Sequence, residues 1–102
     1  MNWDKDIINK KAEEVGTKEL SQDQIQRNLR AAVSAEYGAI DLYVSFMEGI
    51  KDQHIIDVFN DIIKEEKRHV GQFSELLASI DAEQGTEMEE GKKEVETVVE
   101  KS

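Results

Sequence analysis

All-α is the fold class this sequence predicts, and three observations predict it. Proline, which breaks helix interiors, is absent. Glu, Lys, Ala, Ile and Leu are abundant, and no valine-rich run alternates as a strand would. Two long stretches place apolar residues at spacings of three and four, the period of a single helix face.

Taken in order, the first element is residues 1–20, where Trp3, Ile7, Ile8, Ala12 and Val15 suggest a short docking helix ending near Gly16. Ser21-Gln22-Asp23-Gln24 is a start signal: the Ser21 hydroxyl can cap the chain end and Gln24 can reach back to it. From there Ile25, Leu29, Ala32, Glu36, Ala39, Tyr43, Phe46 and Ile50 form one helix face. Gly49 to Gln53 supplies the turn, and Asp52 can cap a second helix. Its stripe reads Ile55, Phe59, Ile62, Glu66, His69, Phe73, Leu76 and Ile80. Residues 81–102 hold eight acids and three lysines with Gly85 and Gly91, and their few apolar residues are mainly Met88, Val95, Val98 and Val99, so a weak helix or a mobile tail is expected there. The expected architecture is a single domain over 1–102: an antiparallel two-helix hairpin over 21–80, a short N-terminal segment and an acidic C-terminal one.

Composition narrows the function. A chain of 102 residues buries proportionately little of its unfolded surface, so help from a partner is expected. The absence of cysteine excludes disulfides, thiolate metal sites and cysteine nucleophiles. A formal net charge of -10 repels phosphate backbones and attracts cations, which argues against nucleic acid and for metal ions. No run has the apolar length to span a bilayer, and Met1-Asn2-Trp3-Asp4 lacks the basic and apolar parts of a signal peptide. A soluble, cytoplasmic protein without membrane partners is expected.

The chemistry lies in Glu36, Glu66 and His69, each of which interrupts an apolar stripe where an uncompensated charge is expensive to bury. Glu36 precedes the turn, and Glu66 follows it, by nearly the same chain length, about 20 Å at 1.5 Å per residue, so antiparallel packing sets them side by side. Glu66-Lys67-Arg68-His69 is a Glu-x-x-His motif whose i, i+3 spacing puts carboxylate and imidazole on one helix face. Singly, each residue has a bland reading: Glu36 as a boundary glutamate, Glu66 as half of a solvated acidic turn, His69 as a satisfied core histidine. Their coincident heights favour a metal site. Di-iron carboxylate bundles take one glutamate from each of two helices and one Glu-x-x-His from each of the other two. This chain holds one of each, so two copies on a two-fold axis complete a four-helix bundle and its ligand set. The same dimer covers both exposed apolar stripes.

Ala35-Glu36-Tyr37-Gly38-Ala39-Ile40-Asp41-Leu42-Tyr43, followed by Glu65-Glu66-Lys67-Arg68-His69, resembles the encapsulated ferritins, ferritin-like proteins housed in encapsulin shells. The resemblance runs from about Leu29 to Asp81. It implies a ferroxidase that oxidises Fe(II) with O₂ at an inter-subunit di-iron centre, for iron storage or detoxification inside an encapsulin nanocompartment. It implies Glu36, Glu66 and His69 as catalytic iron ligands, Tyr43 as a neighbour supporting them, and a ring of dimers, a decamer. Two departures stand out: Ala35 and Gly38 occupy positions where some members carry acids that receive incoming iron, and Val98-Val99-Glu100-Lys101-Ser102 shows no shell-docking peptide of the Gly-Ser-Leu type.

Other residues read as follows. Tyr43, one heptad after Glu36, can hold a ligand or simply meet a buried partner. His54, Asp41, Lys67 and Arg68 read as surface residues. Gly38 and Gly71 each cost about 1 kcal/mol against alanine within a helix, which close helix approach would explain. Oxygen-rich donors with one imidazole per ion suit iron or manganese better than copper or tetrahedral zinc. Two further functions remain open: a rubrerythrin-like peroxidase or other di-iron oxidase on the same centre, and a metal-free dimerising hairpin in which the three residues fix register. Anaerobic metal titration separates the last from the others.

Overall fold

The computed structural model describes residues 19–102, so the docking helix expected around Trp3–Val15 lies outside the described residues. Three helices follow: α1 (Gln22–Met47), α2 (Gln53–Ile80) and α3 (Ala82–Lys101).

α1 begins at the capping box anticipated from Ser21 and Gln24. The Gln24 amide donates to Ser21 Oγ at 3.1 Å, and the Ser21 amide donates to Gln24 Oε1 at 3.0 Å, satisfying two otherwise orphaned donors. The helix ends at Met47, so Ile50 belongs to the turn rather than to the α1 stripe. Gly49 takes φ 82°, the left-handed conformation that glycine adopts without a Cβ penalty. Asp52 caps α2 by accepting from the His54 and Ile55 amides at 2.9 and 3.5 Å.

The two helices pack antiparallel, with Ile40, Ile63 and Leu77 as the buried seam. Val33 and Met47 on α1, and Ile56 and Val70 on α2, continue that seam at seven-residue spacing. This seam is not the stripe expected from periodicity, which lies on its shoulder. Leu29, Ala32, Ala39, Tyr43, Phe59, Ile62, Phe73 and Ile80 are half-buried, whereas Ile25, Phe46, Ile55 and Leu76 are exposed. The physical reason is that two helices touch along one narrow line. The wider apolar stripe belongs to a bundle centre that two helices alone do not close.

Asp81 both ends α2 and starts α3. Its amide donates to Leu77 O at 2.9 Å, its backbone is extended, and its Oδ1 accepts from the Gln84 amide at 3.2 Å. Arg30 of α1 reaches its carboxylate at 4.0 Å, while Gln22 and Gln26 donate to the Ile80 carbonyl, each at 3.2 Å, tying α1 to the end of α2. A Cβ at Gly85 would stand 3.3 Å from the Ala78 carbonyl oxygen, so glycine lets the first turn of α3 approach α2 closely. Of the two forms expected for residues 81–102, the helix is the one present, and at 20 residues it is not short. From Thr86 onward its helical residues are exposed.

The molecule is flat and open, measuring 59 × 45 × 15 Å. Its radius of gyration is 19.1 Å, against about 13 Å for a compact domain of this length. Its accessible surface is 8634 Å², against roughly 5,800 Å² for a compact protein of this mass. Among the described residues no helix is long and apolar enough to cross a membrane.

Candidate metal centre

Glu36 sits in the middle of α1, and Glu66 and His69 sit in the middle of α2. The hairpin register brings all three together. His69 Nδ1 lies 3.5 Å from Glu36 Oε1 and 3.5 Å from Glu66 Oε2, so the imidazole stands between two carboxylates from different helices. One donor atom from each residue lies within 4.8 Å of the others. Opposite ligands on an ion with bonds of roughly 2.1 Å stand about 4.2 Å apart, so small side-chain rotations bring these donors around one cation.

Burial orients the group. The Glu36 and Glu66 side chains are 18% exposed and His69 is 42% exposed. The carboxylates are therefore rooted in the apolar shoulder, and the site opens on the face that also carries exposed Ile25, Phe46, Ile55 and Leu76. A hard, oxygen-preferring cation that also accepts an imidazole fits this donor set. Three protein donors would leave a bound cation room for further ligands, and His69 is the most exposed of the three.

Tyr43 lies one heptad toward the turn and packs in an aromatic layer. Its ring centroid is 6.2 Å from Phe59 and 6.5 Å from Phe46, both tilted. Among the described residues its hydroxyl makes no hydrogen bond to Glu36, Glu66 or His69, and its ring packs on Phe46 and Phe59 instead. His54, Asp41, Lys67 and Arg68 are exposed, as expected. The close approach expected at Gly38 and Gly71 is absent among the described residues, since a Cβ at either would meet none of them within 4 Å. The glycine that packs closely is Gly85. Sequence reasoning missed it, together with the α1 ties from Gln22, Gln26 and Arg30, because no local pattern marks a residue that acts on another helix.

Comparison with known proteins agrees with this picture. The family model described as rubrerythrin matches residues 27–101. A ferritin-like–encapsulin shell fusion protein of Pyrococcus furiosus is 37% identical over 78 residues, covering 76% of this chain and 23% of that protein. The encapsulin nanocompartment cargo protein EncC of Myxococcus xanthus is 26% identical over 73 residues, covering 72% of this chain and 56% of that protein. The chain thus spans about a quarter and about half of these two relatives. The crystal structure of the encapsulated ferritin domain from Pyrococcus furiosus superposes with a TM-score of 0.74 at 35% identity, covering 80% of this chain and 84% of that one. These relatives are of the kind to which the run from Glu36 to Tyr43 and the Glu65–His69 motif pointed.

Proposed function

The chain belongs to the rubrerythrin family, and from that membership we propose that it is a ferroxidase, oxidising Fe(II) to Fe(III) with O₂ at a di-iron centre completed by two copies. The coarser statement, a ferritin-like protein of the di-iron oxidoreductase kind, follows from the family match and the shared fold. The observation that carries the finer one is the meeting of Glu36, Glu66 and His69 on an open, apolar-rimmed face. A two-fold axis over that face doubles the donors to four carboxylates and two imidazoles, the ligand set of ferritin-like di-iron bundles. The same operation would bury Ile25, Phe46, Ile55 and Leu76.

Bound iron supplies the one-electron chemistry, with O₂ as the acceptor. The residues supply position. Glu36 and Glu66, held by neighbouring helices, would hold the iron through their carboxylate oxygens. His69 would give each ion a nitrogen ligand, and the Tyr43–Phe59 contact lies between the same two helices. The names of the curated relatives extend the reading to an encapsulin shell as the protein's surroundings and partner, and the proposal includes a ring of such dimers.

Anaerobic Fe(II) titration tests the proposal, with one iron bound per chain and two per dimer as the expected endpoint, followed by Fe(III) formation on admitting O₂. Absence of saturable binding, or binding unchanged in His69→Ala, would sink it. A second reading, with peroxide replacing O₂ as acceptor, is favoured by the rubrerythrin family match. Oxidation rates measured with each acceptor decide between them.

A further inference from the structure

Apart from the three helices, the sequence holds one further apolar stretch at helical spacing: Trp3, Ile7, Ile8, Ala12 and Val15, closed by Gly16. Along the outer side of α2 runs an open trough of about 850 Å³, lined by Arg68, Gln72, Phe73, Glu75, Leu76 and Ser79. Gln72 and Ser79 are one heptad apart and stand roughly opposite the buried Ile63 around the helix axis, so the trough faces away from α1. Phe73 and Leu76 give it an apolar side, and Leu76 is 53% exposed. Gln72, Glu75 and Ser79 are exposed as well, so among the described residues nothing covers this side of α2. Leu76 marks the edge where the trough adjoins the metal face.

We propose that this trough is the seat of residues 1–18 of the same chain. The first support is reach. α1 begins beside the end of α2, where the Gln22 side chain donates to the Ile80 carbonyl at 3.2 Å, so the preceding segment leaves the hairpin at the Ser79 end of the trough. From Gly16 to Gln22 an extended chain covers about 20 Å, more than the 10 Å width of a helix. The second support is length. α2 advances about 17 Å from Arg68 to Ser79, and Trp3 to Val15 advances about 18 Å as a helix. The third is charge. With Val15 set beside Ser79 and the two helices running the same way, Lys11 falls beside Glu75 and Asp4 beside Arg68, two pairs of opposite sign. The same register puts Ala12 beside Leu76 and Ile8 beside Gln72, and complementary charges at both ends of the trough fix that register. The tether selects this chain's own segment over a second copy's, because a short linker holds it at an effective concentration on the order of millimolar. None of this needs a bound metal.

The chain has no cysteine, so paired cysteine substitutions in the full-length, metal-free protein report position directly. Under a mild oxidant, Ile8→Cys with Gln72→Cys is expected to close a disulfide within one chain, since that link requires the two Cα atoms to come within about 7 Å. It should form at least tenfold faster than in Ile8→Cys with Ser34→Cys, whose second site is exposed on α1. Non-reducing electrophoresis separates a link within a chain from one between chains. A second measurement needs no cysteine. Trp3 is the chain's single tryptophan, so its fluorescence reports on the segment alone. Its emission is expected to be blue-shifted in the parent and to move to the solvent-exposed position in Ile8→Asp, with at least threefold stronger quenching by acrylamide and the helical circular dichroism of the hairpin kept. A disulfide that forms mainly between chains gives the trough to a second copy's segment and overturns the proposal. So does a Gln72 pair that links no faster than the Ser34 pair, or a parent whose Trp3 is quenched as strongly as free tryptophan.

Discussion

His69 Nδ1 lies 3.5 Å from Glu36 Oε1, a contact between two helices whose only connection is the turn at Gly49. That pairing makes the hairpin register a property of the site, because a slip of one residue on either helix rotates a donor away from the others. It also separates the ligands from their neighbours. Glu66→Ala or His69→Ala is expected to reduce rapid Fe(II) oxidation by at least a hundredfold while leaving the helical circular dichroism in place. Lys64→Ala, at an exposed position on the same helix, is expected to change the rate little. Stopped-flow absorbance of Fe(III) measures both, and ligand variants as fast as the parent would remove these residues from the site.

Assembly should respond to metal. Because one chain carries three donors on an open face, Fe(II) under anaerobic conditions favours the dimer over the monomer, and the dimer gains about 2.7 kcal/mol per iron site when free metal is a hundred times its dissociation constant. Light scattering across an Fe(II) series should show the mass rising with metal. A stable monomer indifferent to iron contradicts a shared site.

Two glycines should behave in opposite ways. Gly49 holds φ 82°, so Gly49→Ala is expected to cost about 1–2 kcal/mol and to lower the melting temperature. Gly71 lies in a helix with nothing near its Cβ position, so Gly71→Ala is expected to stabilise the metal-free chain by up to about 1 kcal/mol. Thermal melts at low protein concentration read both signs. A destabilised Gly71→Ala variant would mean that another copy approaches closely there.

Much of this was legible in the sequence, for identifiable reasons. Ser21 with Gln24, and Asp52 before its helix, are local signals, and the structure uses both. Glu36 and Glu66 stand at equal distances from the turn, and an antiparallel hairpin converts equal distance into contact. The family, too, was visible in the runs around Glu36 and His69. The seam was not. Ile40, Ile63 and Leu77 sit on the shoulder of the apolar stripe, and periodicity does not distinguish the edge that meets the chain's own second helix from the face left for another molecule. Residues 81–102 show the converse. Their low apolar content indicated that little would be buried, which holds, but burial is not needed for a helix capped by Asp81 and built from good helix formers.

The last expectation concerns storage. The subunit's described core is two long helices and a third that projects from them, which is not the four-helix subunit from which closed ferritin cages are built. The assembly proposed for it is an open ring. An open ring has no enclosed volume in which ferric oxide can grow apart from bulk solvent. The isolated protein should therefore oxidise a large excess of Fe(II) and yet keep little of the product in solution. Aerobic loading, centrifugation and iron analysis of the soluble fraction make the measurement, with most of the iron expected in the pellet. The same loading inside a shell should reverse the partition, because the cavity then comes from a separate protein. A clear solution retaining most of the iron in a ferritin-sized particle without any shell would replace the open ring with a cage.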